Sequence, residues 1–414
     1  ATIEPLPTTH TRSGKSTFTL WDATASTPIG EWAGGTAYLA LGLNLRNESM
    51  SDGIDADSNA GLVENASIRL PISASRRAQA AYAELSLPLH KTVEAQLALR
   101  HDNFSGVGSS TNPKLALKWT PTRQLALRGS YTTGFRAPSL AEMHGGIRSY
   151  ANCPVGASPI CPAFSQVWGN QVTVTFLDSP ELEPEKSKSR NLGLIWEPLK
   201  GHSLSVDAWN IERRNQVYAP SITNPADAAY FSLISPASNA AAAAFKAQYV
   251  NLGRTDVKGL DIGWQSRWSL GEWGQLKASL TSSNMSQYEV EFRGSSTDYA
   301  GLYGYPKWRH RADLAWSNPN WTVALAANHR GAFEQVALVN SARLSAPGTV
   351  MVESFTTYDL YLAYRGLAKG LSLAAGIGNL AGTQAPYDRA GRLGTLYEDN
   401  SDRRTGYVTL EYKF

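Results

Sequence analysis

The sequence predicts an all-β fold, a transmembrane antiparallel up-and-down β-barrel. Three observations lead there. Segments of alternating apolar and polar residues recur along the 414-residue chain, the connections between them alternate short and long, and tryptophans gather at the short ones. A period of two marks a strand with one apolar and one wet face. The last strand shows it: Val408, Leu410, Tyr412 and Phe414 fall on one side, and Tyr407, Thr409, Glu411 and Lys413 on the other. A terminal aromatic on the apolar side suits a wall with lipid outside and water inside. Taken alone, the segment also fits the edge of a soluble sandwich.

In chain order the alternation gives a weak first strand at Thr17–Ala25, then Ala37–Asn47, Ala78–Leu87, Val93–Phe104, Lys114–Thr120 and Leu125–Phe135. The second half continues with Arg190–Glu197, Ser203–Val217, Thr255–Trp268, Gln275–Val290 and Arg309–Trp316. Trp321–Phe333, Thr356–Arg365, Leu371–Leu380 and Arg404–Phe414 complete about fifteen strands, each near the roughly 9–11 residues that cross a bilayer at a tilt. Short connections lie at 88–91, 121–123, 198–201, 269–272, 317–320 and 366–369, and long ones near 48–75, 136–187, 218–250, 292–306, 334–353 and 381–403. The stretch from Ser105 to Thr111 is a modest member of the long set. Short periplasmic turns and long extracellular loops are the outer-membrane pattern, and neither a propeller nor a sandwich requires such alternation. Trp119, Trp196, Trp264, Trp268, Trp273, Trp316 and Trp321 all lie close to short turns, as an aromatic girdle at the membrane–water boundary does. Within one long loop, the alanine run Ala240–Ala244 reads as a short helix.

Composition narrows the class. The chain is 42% hydrophobic, its mean hydropathy is −0.29, and no run approaches the roughly 18 apolar residues of a membrane helix. A net charge of +3 with scattered basic residues gives no footprint for nucleic acid. The sequence starts at Ala1 without the pattern of a signal peptide, as either a processed chain or a segment of a longer protein would, and the segment is the expectation. Cys153 and Cys161 bracket a compact loop with two prolines and a glycine, which a disulfide suits in an oxidising compartment. No enzymatic motif and no metal-ligand set emerges. Asp55, Asp57 and Asn59 have calcium-loop spacing, but Ala60 replaces the required glycine and no glutamate closes the loop. They read as a solvated acidic loop, and no cofactor is expected.

Three stretches carry more than pattern: Gly129–Glu142, with Tyr131, Gly134, Phe135, Arg136, Ala137 and Pro138; Pro180–Ser187; and Tyr249–Asp261. Their order and spacing resemble the barrel of TonB-dependent outer-membrane receptors. Asn112-Pro113, Gly378-Asn379 and the final Tyr412-Lys413-Phe414 also look like that family. The resemblance runs from about Ala78 to Phe414 and more faintly back to Thr17. It implies a barrel of about 22 strands, filled by a plug domain through which TonB acts. Only about fifteen strands are legible here, with no plug or TonB box. The chain is therefore expected to be residues 1–414 of a C-terminal barrel portion, its plug and first strands supplied elsewhere in the same or a separate chain.

The resemblance also implies the bacterial outer membrane, with its lipid and lipopolysaccharide, the TonB complex and the barrel-assembly machinery as partners. Val408, Leu410, Tyr412 and Phe414 are the expected barrel-insertion signal. By the alternation, Arg100, Lys114, Lys118, Arg128, Arg311, Asp313, Glu411 and Lys413 face the lumen, where they are expected to touch the plug or else to form a solvated wall. Arg136, Arg148, Tyr150, Trp168, Tyr387, Arg389 and Arg392 are the candidate ligand contacts in the extracellular loops. The expected function is TonB-energised uptake of a scarce nutrient: a ferric siderophore, or an oligosaccharide or cobalamin-like ligand. The rivals are a passive or structural outer-membrane barrel and a secreted soluble β-protein.

Overall fold

The computed structural model of the chain describes residues 11–59, 68–69, 71–153, 159–161, 171–222, 225–235, 243–302, 304–336, 338–339, 342–343, 349–386 and 404–413. Fifteen strands pair in strict chain order into one antiparallel sheet. They are β1 (Arg12–Trp32), β2 (Gly35–Ile54), β3 (Ile72–His90), β4 (Val93–Phe104), β5 (Gly108–Trp119), β6 (Leu125–Arg136), β7 (Glu185–Leu199) and β8 (His202–Arg214). There follow β9 (Arg254–Ser269), β10 (Gln275–Phe292), β11 (Trp308–Ser317), β12 (Trp321–Arg330), β13 (Phe355–Ala368), β14 (Leu371–Gly378) and β15 (Thr405–Tyr412). A four-residue strand, Ser295–Asp298, folds back on β10 outside that order.

The expected strands are present, with different limits. β1, β2 and β3 run 21, 20 and 19 residues, well beyond the alternating segments that reveal them. Their outer parts are polar on both faces, so periodicity fades while backbone pairing continues. The connection after β4 is a correction: only Ser105–Val107 lie outside the ladder, which extends to the pair Phe104–Gly108. Gly106 and Gly108, at φ 77° and 106°, supply the positive φ of so tight a turn. The alanine run is another correction. Ala240–Ala242 lie outside the described residues, and Ala244–Ala247 is a strand parallel to Gln171–Phe176. There, pairing and burial outweigh alanine's helix propensity.

Register sorts the side chains onto two faces. Leu41, Leu43 and Leu45 on β2 are 52%, 61% and 52% exposed, as are Leu117, Trp196 and Leu410 at 47%, 46% and 66%. Leu360 shares that face, paired between Leu325 and Ile377. These residues lie on the outer surface of the wall rather than in a protein core. The opposite face carries Asn44, Arg46 and Glu48 of β2, and Arg100 and Asp102 of β4. The extensive buried cluster among the described residues lies in the loops instead, around Cys153, Cys161, Val172, Val174 and Phe245.

The loop residues form their own five-stranded sheet from Ile68–Arg69, Ile147–Asn152, Gln171–Phe176, Ala244–Ala247 and Ser232–Ser235. It joins the loops after β2, β6 and β8. Cys153 and Cys161 are disulfide-bonded beneath it, their Cα atoms 5.4 Å apart.

Candidate functional site: the lumenal wall and outer mouth

The inner face is a wall of paired charges. Arg100 is bidentate to Asp102, with Nη2–Oδ1 at 2.8 Å. Arg128 reaches across β7 to Asp207 at 2.9 and 2.7 Å. Gly193 lies between them in the register and leaves the space open. Lys114 and Lys118 occupy the same face, opposite Thr132 and Arg128. Arg311 holds Asp313 at 2.6 Å and donates to Asn328 at 2.8 Å. Asn328 in turn donates to Asp359 at 3.0 Å, which accepts the Asn379 backbone N–H at 2.9 Å. Glu411 and Lys413 are 3.7 Å apart. Arg100, Arg128 and Arg311 remain 41%, 48% and 52% exposed. Their partners Asp102 and Asp207 are only 7% and 14% exposed, so in these two pairs a solvated guanidinium meets a sheltered carboxylate. A concavity of about 800 Å³ opens here between Arg309, Arg311, Asp313, Asn328, Asp359 and Tyr407.

Arg136, read from sequence as a ligand contact, has a structural task. Its guanidinium donates to Glu142 at 2.9 and 3.1 Å and to Glu185 at 2.6 Å. Glu142 closes a capping box with Ser139 at the start of α1 (Leu140–His144). Leu140 and Met143 are buried, and Arg76 donates to the Pro138 carbonyl at 2.6 Å. The motif thus bends the loop after β6 back onto β2 and β3. Burial pushes the Glu142 carboxyl upward, but the hydrogen bonds from Arg136 and Ser139 outweigh it and leave the group below its ordinary pKa.

Arg148 and Tyr150 fall in the loop-sheet strand Ile147–Asn152, while Trp168, Tyr387, Arg389 and Arg392 lie outside the described residues. Val408 and Tyr412 share the outward face with Leu410, 74% and 56% exposed; Phe414 lies outside the described residues. The Asp55 side of the acidic loop is a helix cap. Its carboxylate accepts the Ser58 and Thr11 backbone N–H groups at 2.8 and 2.9 Å, which depress its pKa.

Sequence reasoning missed an aromatic cluster at the outer mouth. Tyr288 meets Tyr305 at a ring separation of 5.0 Å and Tyr299 at 5.8 Å. The hairpin beyond β10 positions them: Tyr299 donates its N–H to the Tyr288 carbonyl at 2.7 Å, and Asp298 accepts the Tyr288 N–H at 2.9 Å. Farther along β10, Phe292 packs on Tyr218 at 4.4 Å, and the Arg293 guanidinium lies 4.3 Å over Tyr230. Counted by twos from Leu276 and Leu280, Tyr288 would face lipid. A bulge on β10, where Ser286 is the extra residue opposite the consecutive Lys258 and Gly259 of β9, turns Tyr288 to the inner face, opposite Val257.

A family profile described as "TonB dependent receptor-like, beta-barrel" matches residues 4–380. The chain is 24% identical over 344 residues to the iron-regulated outer membrane virulence protein of Vibrio cholerae serotype O1, covering 83% of this chain and 45% of that protein. It is 32% identical over 102 residues to the hemin receptor of Yersinia pestis, 23% of this chain and 13% of that protein. Among solved structures, a point mutant of the ferric enterobactin receptor from Pseudomonas aeruginosa in complex with enterobactin superposes with a TM-score of 0.68 at 18% identity. The siderophore receptor PirA from Acinetobacter baumannii gives 0.72 at 15%. Each superposition covers 97% of this chain and 55% of the other. At such identities the likeness establishes the fold, and the chain spans about half the length of these relatives. By its wall and by the profile over residues 4–380, the chain belongs to the TonB-dependent receptor β-barrel family, which resides in the bacterial outer membrane.

Proposed function

We propose that this chain forms the lumenal wall and outer mouth of a TonB-energised receptor for an aromatic, anionic iron chelate of the ferric-catecholate or hemin kind. The observation that carries this reading is the cluster of Tyr288, Tyr299 and Tyr305, with Tyr288 facing inward. Tyrosine rings offer π-faces and hydroxyl donors to a flat chelate; the Arg293 guanidinium farther along β10 sits over Tyr230 and 3.9 Å from the buried Asp227 carboxylate, so it shares its charge with that acid. The names of the relatives point to iron as well. No bond is made or broken in such a receptor.

Two further elements belong to the proposal. Arg100, Lys114, Lys118, Arg128, Arg311, Asp313, Glu411 and Lys413 touch a plug, whose release by TonB requires contacts that exchange readily. The chain is also the C-terminal portion of a larger barrel. Among the described residues, β1 and β15 each pair on one side only. Both run from the long-loop rim to the short-turn rim, so they would meet in parallel. An odd number of additional strands, from the same or a separate chain, restores antiparallel closure and satisfies both edges.

The test is binding and uptake of ferric catecholate and of hemin in cells carrying the complete receptor. Tyr288→Ala with Tyr305→Ala is expected to weaken binding about tenfold, at roughly 0.5–1.5 kcal/mol per aromatic contact. Collapse of the proton gradient is expected to stop uptake and spare binding. Uptake that persists without the gradient would establish the passive pore instead.

A further inference from the structure

The hairpin that carries the tyrosines ends in an unusual turn. Of the described residues other than glycine, Asn215, Arg293 and Asn379 have positive φ. Asparagine tolerates that region, whereas a long side chain such as arginine enters it at a cost. Arg293, at φ 50°, and Gly294, at 77°, form the two-residue turn between Phe292 and Ser295. Asparagine, aspartate or glycine would suit the first of these positions better. Strain of this kind persists where surrounding contacts hold it.

Those contacts come from the loop after β8. The Arg293 guanidinium lies 4.3 Å over the Tyr230 ring, and its Nη2 is 3.9 Å from Asp227 Oδ1. Phe292 packs on Tyr218 of the same loop. Asp227 is fully buried in the helical turn Pro225–Tyr230. Its Oδ2 accepts the Tyr218 hydroxyl and the Ser221 N–H, both at 2.8 Å, whereas Oδ1 accepts no hydrogen bond among the described residues. A buried carboxylate oxygen without a partner is costly, and a cation beside it offsets that cost. Ile222 and Phe231, on either side of the turn, belong to the buried cluster of the loops. Asp227 and Tyr230 are thus fixed to the loop sheet. The hairpin is held less firmly. β9 supports β10 as far as the pair Arg254–Glu291, but the return strand Ser295–Asp298 pairs only with β10 among the described residues and is exposed throughout. A two-stranded hairpin is marginal by itself.

We propose that Arg293 and Asp227 form a latch that fastens the tip of this hairpin to the loop sheet and so positions Tyr299 and Tyr305 against Tyr288. The ligand role of those rings rests on the function proposed above. Arg293 is a positioning residue, its guanidinium spent on the loop rather than on the chelate.

The test is amide exchange at Tyr299 and Leu302, which donate to the Tyr288 and Tyr299 carbonyls, in the complete receptor in lipid vesicles without ligand. Chelate binding is measured beside it. Glycine suits the turn backbone better than arginine, so if Arg293 serves the turn alone, Arg293→Gly leaves exchange unchanged or slows it. The latch predicts exchange at least about twofold faster, the low end of coupling between residues in contact. Asp227→Asn, which keeps an acceptor for Tyr218 and Ser221, is expected to match it, and the two changes together to add nothing further. Arg293→Lys is expected to retain the native rate. The unlatched variants are expected to bind ferric catecholate about threefold more weakly, the penalty when a third of the hairpins stay ordered. Native protection of strand Gln171–Phe176 verifies that the loop sheet is folded. Native or slower exchange in Arg293→Gly, or effects of the two substitutions that sum, overturns the latch. Weaker chelate binding with unchanged exchange also overturns it and marks Arg293 as a ligand contact. If Tyr288→Ala with Tyr305→Ala binds both chelates at native affinity, the ligand reading fails, and the exchange rates still decide the latch.

Discussion

Gly193 and Gly259 both leave room for a larger neighbour, yet they answer substitution differently. A Cβ at Gly193 would lie 2.1 Å from the Asp207 carboxylate, a side-chain end that can swing away. Gly193→Ala is expected to release the Arg128–Asp207 pair at a cost of about 1 kcal/mol or less. A Cβ at Gly259 would meet the Asn284 backbone carbonyl at 2.5 Å and the Trp209 ring at 2.3 Å. That carbonyl belongs to the β9–β10 ladder, so Gly259→Ala is expected to cost about 1–3 kcal/mol. Urea unfolding in lipid vesicles separates the two. The Glu142 anchor carries a pH dependence. Its carboxyl sits below its ordinary pKa in the folded chain, so its stabilisation is complete above the unfolded value, about 4.3. It is lost as pH falls through the lower folded value. Amide exchange at Glu142 and Met143 is expected to quicken on that acid side, and Glu142→Gln to abolish the dependence.

At the scale of elements, the disulfide and the bulge have separate consequences. Closing the short Cys153–Cys161 loop removes chain entropy worth roughly 2.5 kcal/mol. Cys153→Ser with Cys161→Ser is expected to loosen strands 147–152 and 171–176 in hydrogen exchange while the wall keeps its protection. The bulge explains why the mouth was hidden in the sequence and the wall was not. Alternation holds wherever one face meets lipid, so Leu117, Trp196 and Leu410 announce their strands. At Tyr288 one unpaired residue reverses the count, and the hairpin that brings Tyr299 and Tyr305 beside it has no period at all. The structural task of Arg136 was hidden for a related reason: a loop motif names its residues, but not the two carboxylates that one of them holds. The Ser105–Thr111 stretch looked longer than it is because polar residues on both faces erase the alternation while the ladder continues.

For the whole molecule, the two-faced wall makes a direct demand on substitutions one residue apart. Leu99 faces outward and is 51% exposed, while Ala98 faces the lumen opposite Glu84 and Lys114. Leu99→Lys is expected to destabilise the folded barrel by about 2–4 kcal/mol near mid-bilayer, and Ala98→Lys by less than about 1 kcal/mol. Denaturant titration of the complete receptor in vesicles measures both. Equal costs would mean that the two faces do not meet different solvents.

The unequal strand lengths shape the approach to the bore. β1 has 21 residues where β11 and β12 have 10 each, and all start from the same low rim. At barrel tilt this lifts one flank about 25 Å above the other. The wall of the main sheet is therefore higher over β1–β3 than at β11 and β12, and above β12 a separate strand pair, Phe333–Val336 with Thr349–Val352, makes up height there.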